Sequence, residues 1–445
     1  MKPQMRSALV GAAGFLLVMV TWQGAVAQQQ EQQPISKYDR ERALTMLSDV
    51  RYALKKNYYD PSFHGVDVDA RYKTYEQRIN ATRTLADAFR TVAAYLSGLD
   101  DSHTFFVPPR RSYRINYDYR MQIIGETPYI TDVRPNTDAA QKLHPGDQIL
   151  TLDGYSLNRK DLWQLEYYLD QIAPEITTRF KLRDVSGNVR EEVVSTKYQR
   201  RQRLNDVSLL GSDFWRLVFE GEAERRLLRN RHVEQGDLMI WKMPVFKSES
   251  PEIEHLISMA RKHKALILDL RGNPGGYEAT LTELLGSVFD HDVKIGTRIT
   301  RKGETKFVAK SHGKNTFTGK LIVIVDSRSG SAAELFARVV QIEGRGTVLG
   351  DRSSGTVMEA SFFPFQSGVD VVIYYGASIT EANLIMGDNT SLEKAGVMPD
   401  EVVLPKPGDL AAGRDPVLAR AAELAGSALD PVAAGKLFPF EWAPE

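Results

Sequence analysis

The segment DSRSGSAAELFARVV, residues 326–340, places Ser331 between a run of branched apolar residues and a helical pattern. Two chemistries suit a serine at such a junction. It can cap the helix: Ser331-Ala332-Ala333-Glu334 reads as a capping box, with the acid three residues on. Alternatively, its hydroxyl can attack a carbonyl. A hydroxyl is a weak nucleophile, so this role needs a group to take its proton and N–H donors for the developing oxyanion. Donor candidates lie in LDLRGNPGG, residues 268–276, where an apolar run meets Pro274-Gly275-Gly276. Glycines let backbone N–H groups approach a ligand closely, and an ordinary βα turn uses the same residues.

Other site-like motifs fail on context. GRGTVLG, residues 344–350, has the glycines of a dinucleotide loop but precedes a strand instead of following one. Ser391-x-x-Lys394 and Ser311-x-x-Lys314 have β-lactamase spacing without an accompanying K-T-G. There is no H-E-x-x-H for a zinc protease. GSAAE also lacks the second glycine of an α/β-hydrolase elbow. No metal or other cofactor is expected.

The elements around Ser331 read as an α/β core. From about residue 236, the strands GDLMIWKMPVF, ALILDLRG, LIVIVD and GTVLG alternate with the helices EIEHLISMARKH, YEATLTELLGSVF and SAAELFARVVQIEG. Continuous apolar strands alternating with helices indicate parallel pairing. DPVLARAAELAG supplies a closing helix. Residues 36–108 read as helices, with Leu44, Leu47, Val50, Leu54 and Tyr58 at helical spacing and Thr84 as a cap. Between them, residues 111–198 show short strands, turns at Pro145-Gly146-Asp147 and Asp153-Gly154, and a hairpin around Ser186-Gly187-Asn188.

The chain has 445 residues, enough for about three domains of ordinary size. Its formal net charge is zero, which argues against a nucleic-acid footprint. There is no cysteine, so disulfides, thiolate catalysis and Cys-ligated zinc are excluded. The start, with basic MKPQMR, apolar SALVGAAGFLLVMV and AVA ending at Ala27, reads as a cleaved secretory signal peptide. Its apolar run is short for a membrane span. The expectation is an exported protein, periplasmic or secreted, without a stable membrane anchor after cleavage.

ALILDLRGNPGG, SGSAAELFA, LEKAGVMPD and LDDSHTFF together resemble the S41 peptidase family, the tail-specific or C-terminal processing proteases with their tricorn-like branch. Residues 126–154 are similar to the PDZ-like insertion of those enzymes. The resemblance implies an α/β fold: a crotonase/ClpP-like α/β spiral core, an N-terminal helical segment and an inserted PDZ-like β-rich domain. The expected divisions are a signal peptide (1–27), a helical region (28–110), a PDZ-like domain (111–198), a peptidase core (199–405) and a C-terminal helical tail (406–445).

Carried over by motif, Ser331 falls on the family's nucleophile, and Ala332 with Gly275 or Gly276 on its oxyanion hole. The processing branch uses a Ser–Lys dyad, its lysine lying in a Gly-rich segment after the helix. Here that segment is GDRSSGTVMEA, and no lysine occurs between Lys320 and Lys394. The tricorn-like branch implies another set: His103 as base, with Ser102 and Glu393 as supports. Asp388 is the competing carboxylate.

A PDZ domain adds a peptide as an extra strand and captures its terminal carboxylate. NYDYRMQIIG, residues 116–125, stands where the carboxylate loop is expected but lacks its glycines, which makes Arg120 the substrate-binding candidate. His103 immediately precedes this insertion, so the insertion is expected to control its alignment with Ser331. The reading is an exported serine endopeptidase acting on peptides or unfolded protein segments through a Ser-His-Glu tetrad. The alternative is a catalytically inactive peptide- or ligand-binding protein on the same scaffold, for which loss of the lysine would be typical. A crotonase-like acyl-transfer enzyme is a third class, with no need for the insertion. Oligomeric state is open.

Overall fold

Apolar residues at steps of three and four make residues 37–57 helical, and a helix so patterned must bury one face. The computed structural model describes residues 34–443 apart from 112, 161, 201–224 and 369–371, so the expected signal peptide lies outside the described residues. Helix α1 (Lys37–Asn57) buries Met46, Leu47, Val50 and Leu54. It packs with α2 (Val68–Ala81) and α3 (Leu85–Ser97). Thr84 caps α3 as expected, its hydroxyl accepting from the Asp87 N–H at 3.1 Å.

The core sheet is built from β10 (Leu238–Lys242), β11 (Ala265–Asp269), β14 (Lys320–Val325) and β15 (Thr347–Gly350), all parallel neighbours. A short strand, Glu401–Val402, extends one edge, and antiparallel β9 (Arg231–Gln235) closes the other. Every residue of β11 is buried, because both faces are covered. Leu266 and Leu268 face helices α6 (Ser250–Ala260), α7 (Glu278–Val288) and α8 (Ala332–Ile342). Ala265 and Ile267 face the tail helix Pro416–Leu424 through Val417 and Leu418. This double burial explains why the strand reads as a continuous apolar run.

Residues 293–309 and 359–386, unassigned by periodicity, form a second, antiparallel sheet. Its axis is the 14-residue strand β17 (Ile373–Met386). β17 pairs with β16 (Glu359–Ser367), with β12 (Val293–Thr300) and with β1 (Phe105–Val107). Phe106 opposite Ala377 carries the helical segment into this sheet, and Tyr375, Ala377 and Ile379 share one apolar cluster with α1 and α3.

The insertion forms a separate five-stranded antiparallel sheet in sequence order, from β3 (Tyr119–Ile124) and β4 (Thr127–Val133) to the hairpin Thr177–Arg183/Val189–Ser195. It has its own core around Ile130, Ile149, Phe180 and Leu182.

Candidate active site

β14 ends at Val325, and Asp326–Gly330 turns the chain into α8. Ser331 stands at the junction with φ 50° and ψ −120°, a sparsely populated conformation for a residue with a Cβ. An N-cap residue normally sits in the β region. The capping box is present, with Glu334 accepting from the Ser331 N–H at 3.0 Å and the Ser331 side chain facing the Glu334 N–H, but the Ser331 hydroxyl accepts no cap hydrogen bond of ordinary geometry. It stands on a strained strand-to-helix turn, as a nucleophile elbow would hold it, without the second glycine on which such elbows usually rely.

Glu334 does more than cap. Fully buried, it accepts from Gly355 N at 2.7 Å, Thr356 N at 2.9 Å and the Ser353 hydroxyl at 2.6 Å. It thereby fixes the 353–356 loop against the nucleophile turn, and Ser331 N–H donates to Thr356 O at 2.8 Å. Burial pushes its pKa up to about 7 against the opposing pull of these hydrogen bonds.

The di-glycine loop lies directly beside Ser331. A Cβ on Gly275 would fall 2.6 Å from the Ser331 Cβ and 2.9 Å from the Ala332 nitrogen, so only glycine fits. One expectation needs correcting. The Gly275 N–H donates to Asn273 Oδ1 at 2.8 Å and is used within its own turn. The bridge between Phe246 and Gly276 uses the Gly275 carbonyl and the Tyr277 N–H. That leaves the N–H groups of Gly276 and Ala332 without a partner among the described residues, the latter at the positive end of α8.

His103 and Glu393, 290 positions apart, are joined through Ser102. The Ser102 hydroxyl lies 2.7 Å from His103 Nδ1 and donates to Glu393 Oε2 at 3.0 Å. Since that hydroxyl proton goes to the carboxylate, the Ser102 oxygen accepts from Nδ1–H. This tautomer leaves Nε2 with its lone pair available. Glu393 also accepts from the N–H groups of Ser102 and Val357, each at 3.0 Å. Val357 follows the Thr356 that binds Ser331, so one dipeptide ties the nucleophile turn to this carboxylate. Burial lowers the His103 pKa, with the Asp101 charge opposing, and raises that of Glu393. A neutral ring is what a base requires.

Asp388, the rival carboxylate, sits in a turn bonded to Arg338 and Thr390, apart from Ser102. The insertion, expected to align His103, reaches the strand just after it, the Tyr167 hydroxyl donating to the Phe106 carbonyl at 2.6 Å and its ring packing 5.6 Å from that of Phe105. The 100–104 segment is bolted to the core: Asp101 accepts from the Thr380 hydroxyl at 2.8 Å, Thr104 bonds Thr380, and Asp100 pairs with Lys394.

Arg120 lies on β3 at the wall of a cavity of about 1310 Å³ between the insertion, the core and the C-terminal tail. Ser331, His103 and Glu393 do not line this cavity, although Pro274 and Arg328 from the adjoining loops do. The Arg120 guanidinium is committed to Asp132 at 3.3 Å and stacks 4.1 Å over Phe440. The edge of β3 is engaged as well. Ile123 faces Pro128, which has no N–H, so its carbonyl points outward, and there it accepts from the Ser327 hydroxyl at 2.5 Å. Arg328 donates to the Met121 carbonyl beside it. The edge on which a peptide strand was expected is thus occupied by the loop leading to Ser331.

Residues 238–403 match the family described as Peptidase family S41, and residues 40–96 match the Tricorn protease C1 domain. The chloroplastic carboxyl-terminal-processing peptidase 3 of Arabidopsis thaliana is 22% identical over 78% of this chain and 66% of its own length. The tail-specific protease of Haemophilus influenzae is 25% identical over 73% and 47% respectively. The chain therefore spans less than two thirds of either relative. Among solved structures, mature CPAF superposes with a TM-score of 0.63 at 15% identity, covering 84% of this chain and 95% of that one. The photosystem II D1 C-terminal processing protease gives 0.51 at 18% identity, over 91% and 100%. These likenesses establish the fold.

Proposed function

We infer that this chain, which belongs to peptidase family S41, is a serine endopeptidase with Ser331 as nucleophile and His103 as general base. Nε2 of His103 takes the Ser331 proton as Oγ attacks the scissile carbonyl. Ala332 and Gly276 N–H groups receive the oxyanion, the imidazolium then protonates the leaving amine, and water hydrolyses the acyl-enzyme. Ser102 and Glu393 hold the ring in the tautomer that works. The observation that supports this most is Ser331 itself: a non-glycine residue held at φ 50° at the start of a helix, the kind of backbone strain that clusters at active sites.

Its substrates are read as peptides or unfolded protein segments, in keeping with relatives named a carboxyl-terminal-processing peptidase and a tail-specific protease. The insertion is read as PDZ-like, with its strand-addition edge closed in this arrangement. The basic-apolar-small pattern ending at Ala27 supports export to the periplasm or beyond. No helix among the described residues is long and apolar enough to cross a membrane.

A fluorophosphonate probe should form its adduct on Ser331, as located by mass spectrometry. Ser331→Ala should abolish both labelling and peptide turnover. His103→Ala should slow both by about a hundredfold or more. An adduct elsewhere, with turnover intact in Ser331→Ala, defeats the assignment.

A further inference from the structure

We propose that Asp101 is the electrostatic and positioning partner of His103, a second carboxylate that favours the imidazolium formed during the reaction. The proposal rests on the assignment of His103 as base and deepens it.

Asp101 is only 6% exposed. Its Oδ1 accepts from the N–H groups of His103 at 3.0 Å and Thr104 at 2.7 Å, and from the Thr380 hydroxyl at 2.8 Å. That oxygen alone shapes the turn that presents His103. Oδ2 is buried beside the Tyr58 hydroxyl, with no hydrogen bond of ordinary geometry between the two. An amide would provide the same anchoring without leaving a charged oxygen unsatisfied, a costly condition inside a protein. The charge is therefore surplus to the anchoring, and it acts on the imidazole, whose affinity for a proton it raises against the effect of burial.

The other groups around the ring do not substitute for it. Glu393 reaches His103 through Ser102 and is held by Val357 N–H. Tyr58 and Tyr59, from the end of α1, feel the Asp101 charge, and burial holds both hydroxyls protonated. The Asp100–Lys394 pair lies at the exposed rim. Asp101 and Glu393 thus divide the work. Glu393 sets the tautomer through Nδ1, and Asp101 steadies the charge that appears when Nε2 is protonated.

The test is Asp101→Asn. Asn keeps an acceptor in place of Oδ1 and puts an NH2 in place of Oδ2. That NH2 can donate to the Tyr58 hydroxyl buried beside it. The variant should fold with an unchanged or raised Tm. Its kcat/KM should fall, and the acid limb of its pH profile should move to lower pH by about one unit or more, because the neutral ring survives further into acid. NMR titration of His103 in a Ser331→Ala background should show the same displacement without any turnover. Thr380→Val loosens the anchor but keeps the charge, and should leave the limb where it is. An unmoved His103 titration in Asp101→Asn overturns the proposal. So does failure of that variant to fold, or a loss of activity that simply tracks a fallen Tm. Absence of probe labelling on wild-type Ser331 would count against the peptidase reading instead, and the His103 titration would still decide the role of Asp101.

Discussion

The helical segment, residues 37–107, and the inserted sheet, residues 119–195, both adjoin the α/β core, but by different chemistry. The helices merge with it. Phe106 is fully buried and pairs with β17, and Met46, Leu47 and Val50 share a cluster with Ala377 and Ile379. The sheet keeps its own core and meets the rest in two ways: Tyr167, Tyr168 and Ile172 pack into the apolar cluster of the helical segment, while the contacts toward the turn before Ser331 are polar. Gln122 donates to Asp326 at 2.8 Å, and Arg159 donates to Asp351 and Arg352 O, each at 2.6 Å. Apolar merging makes a region share the global stability of the fold, whereas polar docking permits local release. His103 rides on the merged part. The insertion thus adjoins both halves of the proposed site, the turn before Ser331 through Ser327 and Arg328 and the strand after His103 through Tyr167 and Phe106.

Substitutions on each side put this contrast at risk. Phe106→Ala should have the largest effect, costing about 3–5 kcal/mol in urea denaturation and lowering the stability of helices and peptidase core together. Separate transitions for the two would break the claim that they are one unit.

Within the core, Glu334 should make stability depend on pH. Its folded pKa, about 7, lies above the ordinary value of 4.5. Its contribution is therefore fully present below about pH 4.5 and lost as pH rises through about 7, by up to about 3 kcal/mol. Glu334→Gln should remove that slope, as read by denaturation at several pH values. An identical slope in both proteins would show that Glu334 is not its source.

Arg159→Ala should cost about 2–3 kcal/mol, confined to docking of the insertion. Hydrogen exchange should accelerate in residues 119–124 and stay unchanged in 44–54; acceleration in both would erase the contrast. Arg352→Ala loses an ion pair with Glu126, which is 74% exposed. It should cost less than about 1 kcal/mol, and 1 M salt should remove even that. A larger, salt-resistant loss would mean that the docking surface is stiffer than described.

Much of the molecule was legible from local pattern. The alternation of strands and helices from residue 236, the hairpin at 186–188 and the Thr84 cap all follow from periodicity and turn chemistry. The strand β17 was harder to see. Its middle, Tyr375–Ala377, is buried without alternation because Tyr375 and Ala377 face the helices while Gly376, on the other face, lies under the Phe362 ring. Neither period therefore stands out. The choice of Glu393 over Asp388 came by resemblance, since both are acids in one short stretch and only contact with Ser102 separates them. Asp101 and Glu334 were in plain view in LDDSHT and GSAAE, but a carboxylate's neighbours are not written beside it.

By itself, the sequence determined the elements and singled out Ser331 as the candidate nucleophile. Strand, small-residue turn and helix follow from side-chain shape and spacing, which act between near neighbours. The tertiary structure decided what that serine can do. Packing holds Ser331 at positive φ, leaves the N–H groups of Gly276 and Ala332 open while consuming that of Gly275, and brings Ser102 to Glu393 across 291 positions. These are long-range outcomes of burial and hydrogen-bond competition, and a linear pattern does not specify which of several donors or carboxylates will be left over when the chain has folded.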